Sequence, residues 1–208
     1  MTRKIGILFD LDGVLVDSEG EYSLFWGSIG DRYDKGADFK DRIKGSILPR
    51  ILESFPEGDR AGIKAELYDF EGRMQYAVYP GVKEFLQVLK EKNIPAAIVT
   101  SSDNAKMEKL FARHPDMREC ITHIVTADMV SKGKPDPECF LLGAGLIEVP
   151  IEDCFVFEDS INGLKAARAS GGKVVGLATT CRRSEVERYA DLTADCFGEI
   201  TLERLAAL

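Results

Sequence analysis

A series of short apolar runs alternating with segments of helical spacing is the feature that most constrains the fold. Strands buried on both faces of a parallel sheet have such near-continuous apolar runs. The runs span residues 5–9, 96–100, 121–126, 154–157 and 173–177. Between them apolar side chains recur at helical spacing, as at Val82, Phe85, Leu86 and Leu89. The alternation predicts an α/β fold built on a doubly wound parallel sheet.

One long segment interrupts this alternation. From residue 17 to residue 79 no strand pattern occurs, but apolar side chains recur at helical spacing, at Tyr22, Phe25, Trp26 and Ile29. Pro80 and Gly81 then disfavour a continuing helix. We therefore predict a core formed by residues 1–16 and 80–208, with a small helical domain inserted at residues 17–79. The aromatic residues of the insertion are interpreted as its packing core.

Composition and charge exclude several classes of partner. The chain has 208 residues and a formal net charge of -8, which argues against nucleic acid and anionic membranes, since both are bound through clustered Lys and Arg. Five scattered cysteines without a C-x-x-C pair indicate reduced thiols. Asp10 interrupts the first apolar run before it reaches signal-peptide length. We expect a cytoplasmic protein, either a monomer or a weak homo-oligomer.

Polar side chains follow the predicted strands at the points where the strands end. Asp10-Leu11-Asp12-Gly13 follows the first run, Thr100-Ser101 the second and Glu158-Asp159 the fourth, while Lys134-Pro135 follows the third after a short loop. Ligands of open parallel sheets bind at the carboxyl ends of the strands, so these groups are expected to converge. A single D-x-D pair is weak evidence, because acidic pairs also cap helices. Four such motifs in order are much stronger evidence.

The chemistry of such a site points to a metal and a phosphate ester. Several carboxylates in one place repel one another unless a cation is present, and magnesium prefers hard oxygen ligands. A lysine can offset charge on the phosphate, and a hydroxyl can donate to it. One aspartate can attack phosphorus while the aspartate two residues later acts as general acid and base. Gly13 would allow the sharp turn that brings both carboxylates to one pocket.

These motifs resemble those of the haloacid dehalogenase superfamily. The resemblance rests on D-x-D-G-V-L from Asp10, a strand-terminal Thr100, the K-P pair at Lys134 and E-D-S from Glu158. The resemblance covers nearly the whole chain, because the helical insertion is similar to the type-one cap of that family. It also implies a Rossmann-like core. The segments 133–137 and 158–163 resemble the branch of β-phosphoglucomutases and sugar-phosphate phosphatases.

The resemblance implies a magnesium-dependent enzyme that acts on a small phosphate ester, and it assigns roles residue by residue. The resemblance implies that Asp10 is the nucleophile and a metal ligand, and that Asp12 is the acid and base, with its backbone carbonyl on the metal. Asp159 is implied as a further ligand, and Glu158 as a residue that reaches the metal through water. Thr100 and Ser101 are implied to hold the phosphate, and Lys134 to pair with the phosphate and with Asp10. Lys44 and Gly45 match a loop of the cap and are the predicted substrate contacts.

Three functions remain open at this point. Mutases of the branch carry a histidine at the start of the cap and an arginine after a K-G pair, and the corresponding positions here are Tyr22 and Leu48, with Arg50 nearby. Hydrolysis of a sugar phosphate is therefore favoured, and a β-phosphoglucomutase type of isomerase is the alternative. A phosphate-binding protein without turnover is the least favoured, because all four motifs are intact.

Overall fold

The computed structural model describes residues 4–208 and contains a six-stranded, all-parallel sheet with helices. This Rossmann-like α/β architecture confirms the predicted fold class. The strands are β1 (Gly6–Phe9), β2 (Ala96–Val99), β3 (His123–Val125), β4 (Cys154–Glu158), β5 (Lys173–Leu177) and β6 (Leu192–Ala194). Their order is β3-β2-β1-β4-β5-β6, so the chain moves outward from β1 to one side and then returns to the other side at β4. The order of the strands thus reverses between β1 and β4.

Five of the six strands fall within or close to the predicted apolar runs. All residues of β1, β2 and β4 are buried. The sixth strand, β6, was not predicted. It has three residues at the edge of the sheet, and Ala194 alone among them is fully buried, so its sequence carries almost no apolar pattern.

The described part of the chain contains eleven α-helices. They are α1 (Glu19–Arg32), α2 (Phe39–Arg42), α3 (Leu48–Leu52), α4 (Glu57–Arg73), α5 (Val82–Glu91), α6 (Asn104–Arg113), α7 (Pro115–Cys120), α8 (Glu138–Leu146), α9 (Ile161–Ser170), α10 (Arg183–Val186) and α11 (Leu202–Ala206). Within residues 4–208, no helix has the length and apolar character needed to cross a membrane.

Side-chain caps fix the start of the two helices that follow β2 and β4. Asp103 accepts a hydrogen bond from the backbone N–H of Lys106 at the start of α6, at 3.0 Å. Ser160 does the same for Gly163 at the start of α9, at 3.1 Å. Each cap satisfies a backbone donor that has no partner within its helix. The polar loops at the ends of these two strands are therefore anchored at the helix that follows.

Helices α1 to α4, here called the helical segment, have a hydrophobic cluster of their own around Trp26, Phe55 and Leu67. Met74 and Tyr76, which follow α4, pack instead with the residues that surround β1. This packing is compatible with an inserted domain, whose boundaries at residues 17 and 79 stay a prediction.

Four phenylalanines form the centre of the core on one face of the sheet. The ring of Phe85, on α5, lies 6.2 Å from Phe9, 5.8 Å from Phe157 and 5.7 Å from Phe197, measured between ring centroids. Phe9 and Phe157 are the last apolar residues of β1 and β4 before the polar motifs begin. Packing at Phe85 therefore supports the two strands that present Asp10 and Glu158.

The Phe85→Ala substitution should lower the free energy of unfolding by about 3–5 kcal/mol, because it leaves a cavity among aromatic rings. Val88→Ala on the same helix is the matched control, because Val88 is 36% exposed whereas Phe85 is 7% exposed. The control should change the free energy by less than about 0.5 kcal/mol. Denaturant unfolding followed by circular dichroism measures both, and equal effects would contradict the described packing.

Candidate active site

Asp10 lies at the centre of the sheet, directly after β1. Its backbone N–H donates to the carbonyl of Phe157 at 2.9 Å, which continues the pairing between β1 and β4. Glu158 ends β4, and Asp159 follows it. Because the strand order reverses between β1 and β4, their carboxyl ends border the crevice where open α/β sheets bind ligands. The structure thus brings together three carboxylates that the sequence analysis selected.

Asp10, Glu158 and Asp159 form what we call the three-carboxylate cluster. One oxygen from each lies within 4.8 Å of the others, and all three residues are buried. Lys134 extends into this cluster from the loop after β3. Its ammonium group donates to Oδ1 of Asp10 and to Oε1 of Glu158, each at 2.5 Å, and its side chain is only 2% exposed. The predicted pairing of Lys134 with Asp10 is therefore present.

Burial shifts the pKa of two carboxyl groups of the cluster, those of Asp10 and Asp159. It raises the pKa of Asp10 to about 7, against the opposing effect of the Lys134 ammonium. Burial also raises the pKa of Asp159 well above its usual value, and the charges of Glu158 and Asp10 add to this. The pKa of Lys134 is lowered by burial, but the two carboxylates outweigh this effect and raise it overall. The single positive charge of Lys134 does not neutralise the negative charge that three ionised carboxylates would carry.

Two glycines leave the space that the acidic side chains occupy. Gly13 has a positive φ of 79°, as the predicted sharp turn requires, and a Cβ there would lie 2.1 Å from Oδ2 of Asp159. A Cβ at Gly163, in the first turn of α9, would lie 1.8 Å from Oε1 of Glu158. The need for Gly163 was not predicted, because nothing in a helical pattern indicates that a carboxylate packs against the backbone.

Asp12 lies beside the cluster, and its carboxylate is held by three side chains. Oδ1 accepts from the hydroxyl of Ser18, and Oδ2 accepts from Ser102 at 3.3 Å. The ammonium group of Lys106 contacts both oxygens, at 2.7 and 2.5 Å. Sequence reasoning missed Lys106. Its burial was indicated by its position four residues before Leu110, which places it on the apolar face of α6.

Thr100 and Ser101, the predicted phosphate-holding residues, follow β2 and line the same cavity as Asp10. The side-chain oxygen of Thr100 accepts from the backbone N–H of Ser102 at 3.1 Å. The hydroxyl of Ser101 donates to the carbonyl of Gly45 at 3.0 Å. Ser101 thus connects the sheet to the helical segment in this structure, and its contact with phosphate stays a prediction.

The predicted substrate contacts Lys44 and Gly45 lie in the loop between α2 and α3. The carbonyl of Lys44 accepts from the side-chain amide of Asn162 at 3.0 Å. The ammonium group of Lys44 lies 3.5 Å from Glu19 and 3.6 Å from Asp41. Backbone contacts therefore hold this loop over the ends of β2 and β4, and both residues line the cavity above Asp10.

A cavity of about 220 Å³ separates the helical segment from the ends of the strands; we call it the central cavity. Asp10, Asp12 and Asp159 lie on its floor, and its opposite wall includes Trp26, Leu48 and the carboxylates of Glu19 and Glu71. Burial raises the pKa of both glutamates. The hydroxyl of Tyr22 donates to Glu71 at 3.0 Å. The central cavity thus joins an acidic floor to a mixed apolar and polar wall.

The residues of the cluster fit a divalent cation. Both oxygens of Asp159 are buried and have no hydrogen-bond partner in the part of the chain that the structure describes. Such orphaned carboxylate oxygens are costly unless a cation satisfies them. The donor set consists of carboxylate oxygens, which suits a hard ion such as magnesium better than a soft metal. The cluster could therefore hold one metal ion.

Comparison with known proteins agrees with this geometry. The family model for haloacid dehalogenase-like hydrolases matches residues 6–171, so the chain belongs to that family. It is 32% identical over 213 residues to hexitol phosphatase A of Escherichia coli, covering 97% of this chain and 95% of the relative. It is 30% identical over 217 residues to β-phosphoglucomutase of Bacillus subtilis, with 96% and 92% covered.

Two further similarities extend this comparison. The chain is 28% identical over 207 residues to the bifunctional riboflavin kinase/FMN phosphatase of Arabidopsis thaliana, covering 95% of this chain but 55% of that larger protein. A crystal structure of a hydrolase from Pseudomonas syringae superposes with a TM-score of 0.84 and 27% identity, covering 99% of each chain. Relatives named as phosphatases support phosphatase activity, and a mutase is the named alternative.

Magnesium should stabilise the protein through the three-carboxylate cluster. At a concentration about 100-fold above its Kd, Mg²⁺ should raise the Tm by roughly 5–10 °C. Asp159→Asn should remove most of this rise, and without Mg²⁺ it should not lower the Tm, because it removes a buried charge that has no partner.

The matched control is Asp128→Asn. Asp128 lies at the edge of the central cavity but outside the cluster, so this variant should keep the Mg²⁺ effect. Differential scanning calorimetry measures all three proteins. An undiminished Mg²⁺ effect in the Asp159 variant would contradict the assignment of the metal site.

Proposed function

We propose that this protein is a magnesium-dependent phosphatase that hydrolyses a small phosphomonoester, with a sugar phosphate as substrate, through a phosphoryl group carried on Asp10. The observation that carries the proposal is the position of Asp10. Its carboxylate lies on the floor of the central cavity, within the three-carboxylate cluster and in contact with Lys134, while Asp12 stands beside it. This combination supplies a nucleophile, a counter-charge and a second carboxyl group in one place.

The reaction proceeds in two displacements. In the first, a carboxylate oxygen of Asp10 bonds to phosphorus as the bond to the ester oxygen breaks, and the leaving oxygen takes a proton from Asp12. In the second, water attacks phosphorus and gives a proton to Asp12, the bond to Asp10 breaks, and inorganic phosphate leaves. Lys134 offsets negative charge at Asp10 in both steps.

Magnesium, held by Asp10, Asp159 and the carbonyl of Asp12 with Glu158 close by, would supply positive charge for the phosphate oxygens. Burial and the charges of Glu158 and Asp10 raise the pKa of Asp159, and both of its oxygens lack a partner in the described structure. Both observations support this assignment, because a cation would offset the negative charge. Thr100 and Ser101 are proposed to donate to the phosphate, and Lys44 with Gly45 to contact the rest of the substrate.

The wall of the central cavity supports a polar leaving group. Glu19 and Glu71 can accept hydrogen bonds from sugar hydroxyls. Relatives named for hexitol and fructose 1-phosphate point to the same class of substrate. A sugar monophosphate is therefore the substrate class that we propose.

A β-phosphoglucomutase type of isomerisation is the second candidate, because the Bacillus subtilis mutase aligns with nearly the whole chain. Two observations favour hydrolysis over it. Tyr22 stands at the position of the mutase histidine, and its hydroxyl is bound to Glu71. Arg50 lines two neighbouring clefts rather than the central cavity, so it does not extend toward Asp10.

Asp10→Asn should abolish phosphate release and leave the fold intact, because the amide is a poor nucleophile of nearly the same shape. Asp31→Asn is the matched control, since Asp31 lies exposed on α1 away from the central cavity and this variant should keep wild-type activity. Phosphate release from a panel of sugar monophosphates, with circular dichroism to confirm folding, tests both. Turnover that survives in a folded Asp10 variant would contradict the mechanism.

The same panel separates the two candidate functions. Magnesium-dependent release of phosphate from several sugar monophosphates, reversed by chelation, supports the phosphatase. Conversion of β-glucose 1-phosphate into glucose 6-phosphate in the presence of the bisphosphate, without net release, would instead support the mutase.

A further inference from the structure

Lys106 is a buried lysine that the two-step reaction above does not use. Its side chain is 2% exposed, although it lies on α6, whose remaining lysine, Lys109, is partly exposed. Its ammonium group contacts both oxygens of Asp12 and also lies 4.3 Å from the centre of the ring of Tyr22. It is therefore held between the floor of the central cavity and helix α1.

The contact with Lys106 sets the direction of the Asp12 carboxylate. Ser18 and Ser102 each contact one oxygen, and a hydroxyl can rotate to follow a moving partner. Lys106 contacts both oxygens with a charged donor, which is the stronger interaction. Its own position is fixed by burial and by the ring of Tyr22, whose hydroxyl is tied to Glu71. Lys106 is thus the most firmly fixed of the three groups that contact the Asp12 carboxylate.

Stability alone does not account for a lysine at this position. A lysine and a carboxylate lose hydration when they are buried, and apolar residues of similar size can replace such pairs without loss of stability. Met107 and Leu110, which are buried beside Lys106 on α6, show that this helix face accommodates apolar side chains. The ion pair therefore points to a role at Asp12 rather than in the packing of α6.

We infer that Lys106 is a positioning residue that holds the Asp12 carboxyl group toward the leaving oxygen of the substrate. The inference rests on the proposed function, in which Asp12 protonates that oxygen. Misplacement of a proton donor costs most when the leaving group needs the proton, and costs little when the leaving group departs readily as an anion. Loss of Lys106 should therefore act selectively on substrates with poor leaving groups.

The test uses Lys106→Met, which keeps an unbranched side chain that is one atom shorter and removes its charge. Two substrates are compared: the sugar monophosphate that the wild type hydrolyses fastest, and acetyl phosphate, whose leaving acetate needs no proton. kcat/KM reports the steps up to the first irreversible one, so it isolates the protonation of the leaving group from the later attack of water. For the sugar phosphate, kcat/KM should fall by roughly 100-fold or more.

For acetyl phosphate, the fall in kcat/KM should stay within about threefold, since no proton donor is needed. Lys165→Met is the control: Lys165 is an exposed lysine on α9 that does not line the central cavity. It should leave the ratio of the two kcat/KM values as in the wild type. Retained acetyl phosphatase activity also demonstrates that the Lys106 variant is folded.

The outcomes distinguish the inference from the function on which it rests. An equal loss for both substrates, or no loss for either, in an enzyme whose wild type hydrolyses both would overturn the role of Lys106 and leave the proposed phosphatase intact. A wild type that releases phosphate from neither substrate with Mg²⁺ would overturn the proposed function itself.

Discussion

The site depends on the burial of three carboxylates around one lysine ammonium, where β1 and β4 end. Asp10, Glu158 and Asp159 cannot all be ionised at low cost beside a single Lys134. Burial, together with the charges of neighbouring carboxylates, raises the pKa of Asp10 to about 7 and that of Asp159 well above its usual value. Such a site is suited to a bound cation, because the cation offsets the charge of the carboxylates. The same cation would stabilise the negative charge of a phosphate, which suits the site to phosphate chemistry.

The fold keeps this arrangement rigid. The aromatic core under β1 and β4 supports the strands, and helix caps hold the loops that follow β2 and β4. Gly13 and Gly163 leave space for the carboxylates of Asp159 and Glu158, since any side chain would occupy it. The loop at Gly45, bound by Ser101, then closes the helical segment over the site. The floor of the central cavity is therefore already assembled in this structure, which is the condition for electrostatic stabilisation of a transition state.

Most of the fold and the floor of the site could be predicted from the sequence, because both depend on local patterns. Doubly buried strands have apolar runs, and the polar motifs follow directly where those runs end. The edge strand β6 and the role of Lys106 could not be predicted in this way. β6 buries too little surface to show a pattern. The role inferred for Lys106 depends on its contacts with Asp12 and Tyr22, which are distant in the sequence and contact it only in the folded protein.

The central claim is that Asp10 carries the phosphoryl group. Its most direct test is to quench the enzyme during turnover of a sugar phosphate with Mg²⁺, reduce it with sodium borohydride and map the peptides by mass spectrometry. Borohydride reduces an acyl phosphate to an alcohol, so the account predicts homoserine in place of Asp10 only when substrate is present. Rapid phosphate release with Asp10 unmodified, or reduction at a different carboxylate, would contradict it.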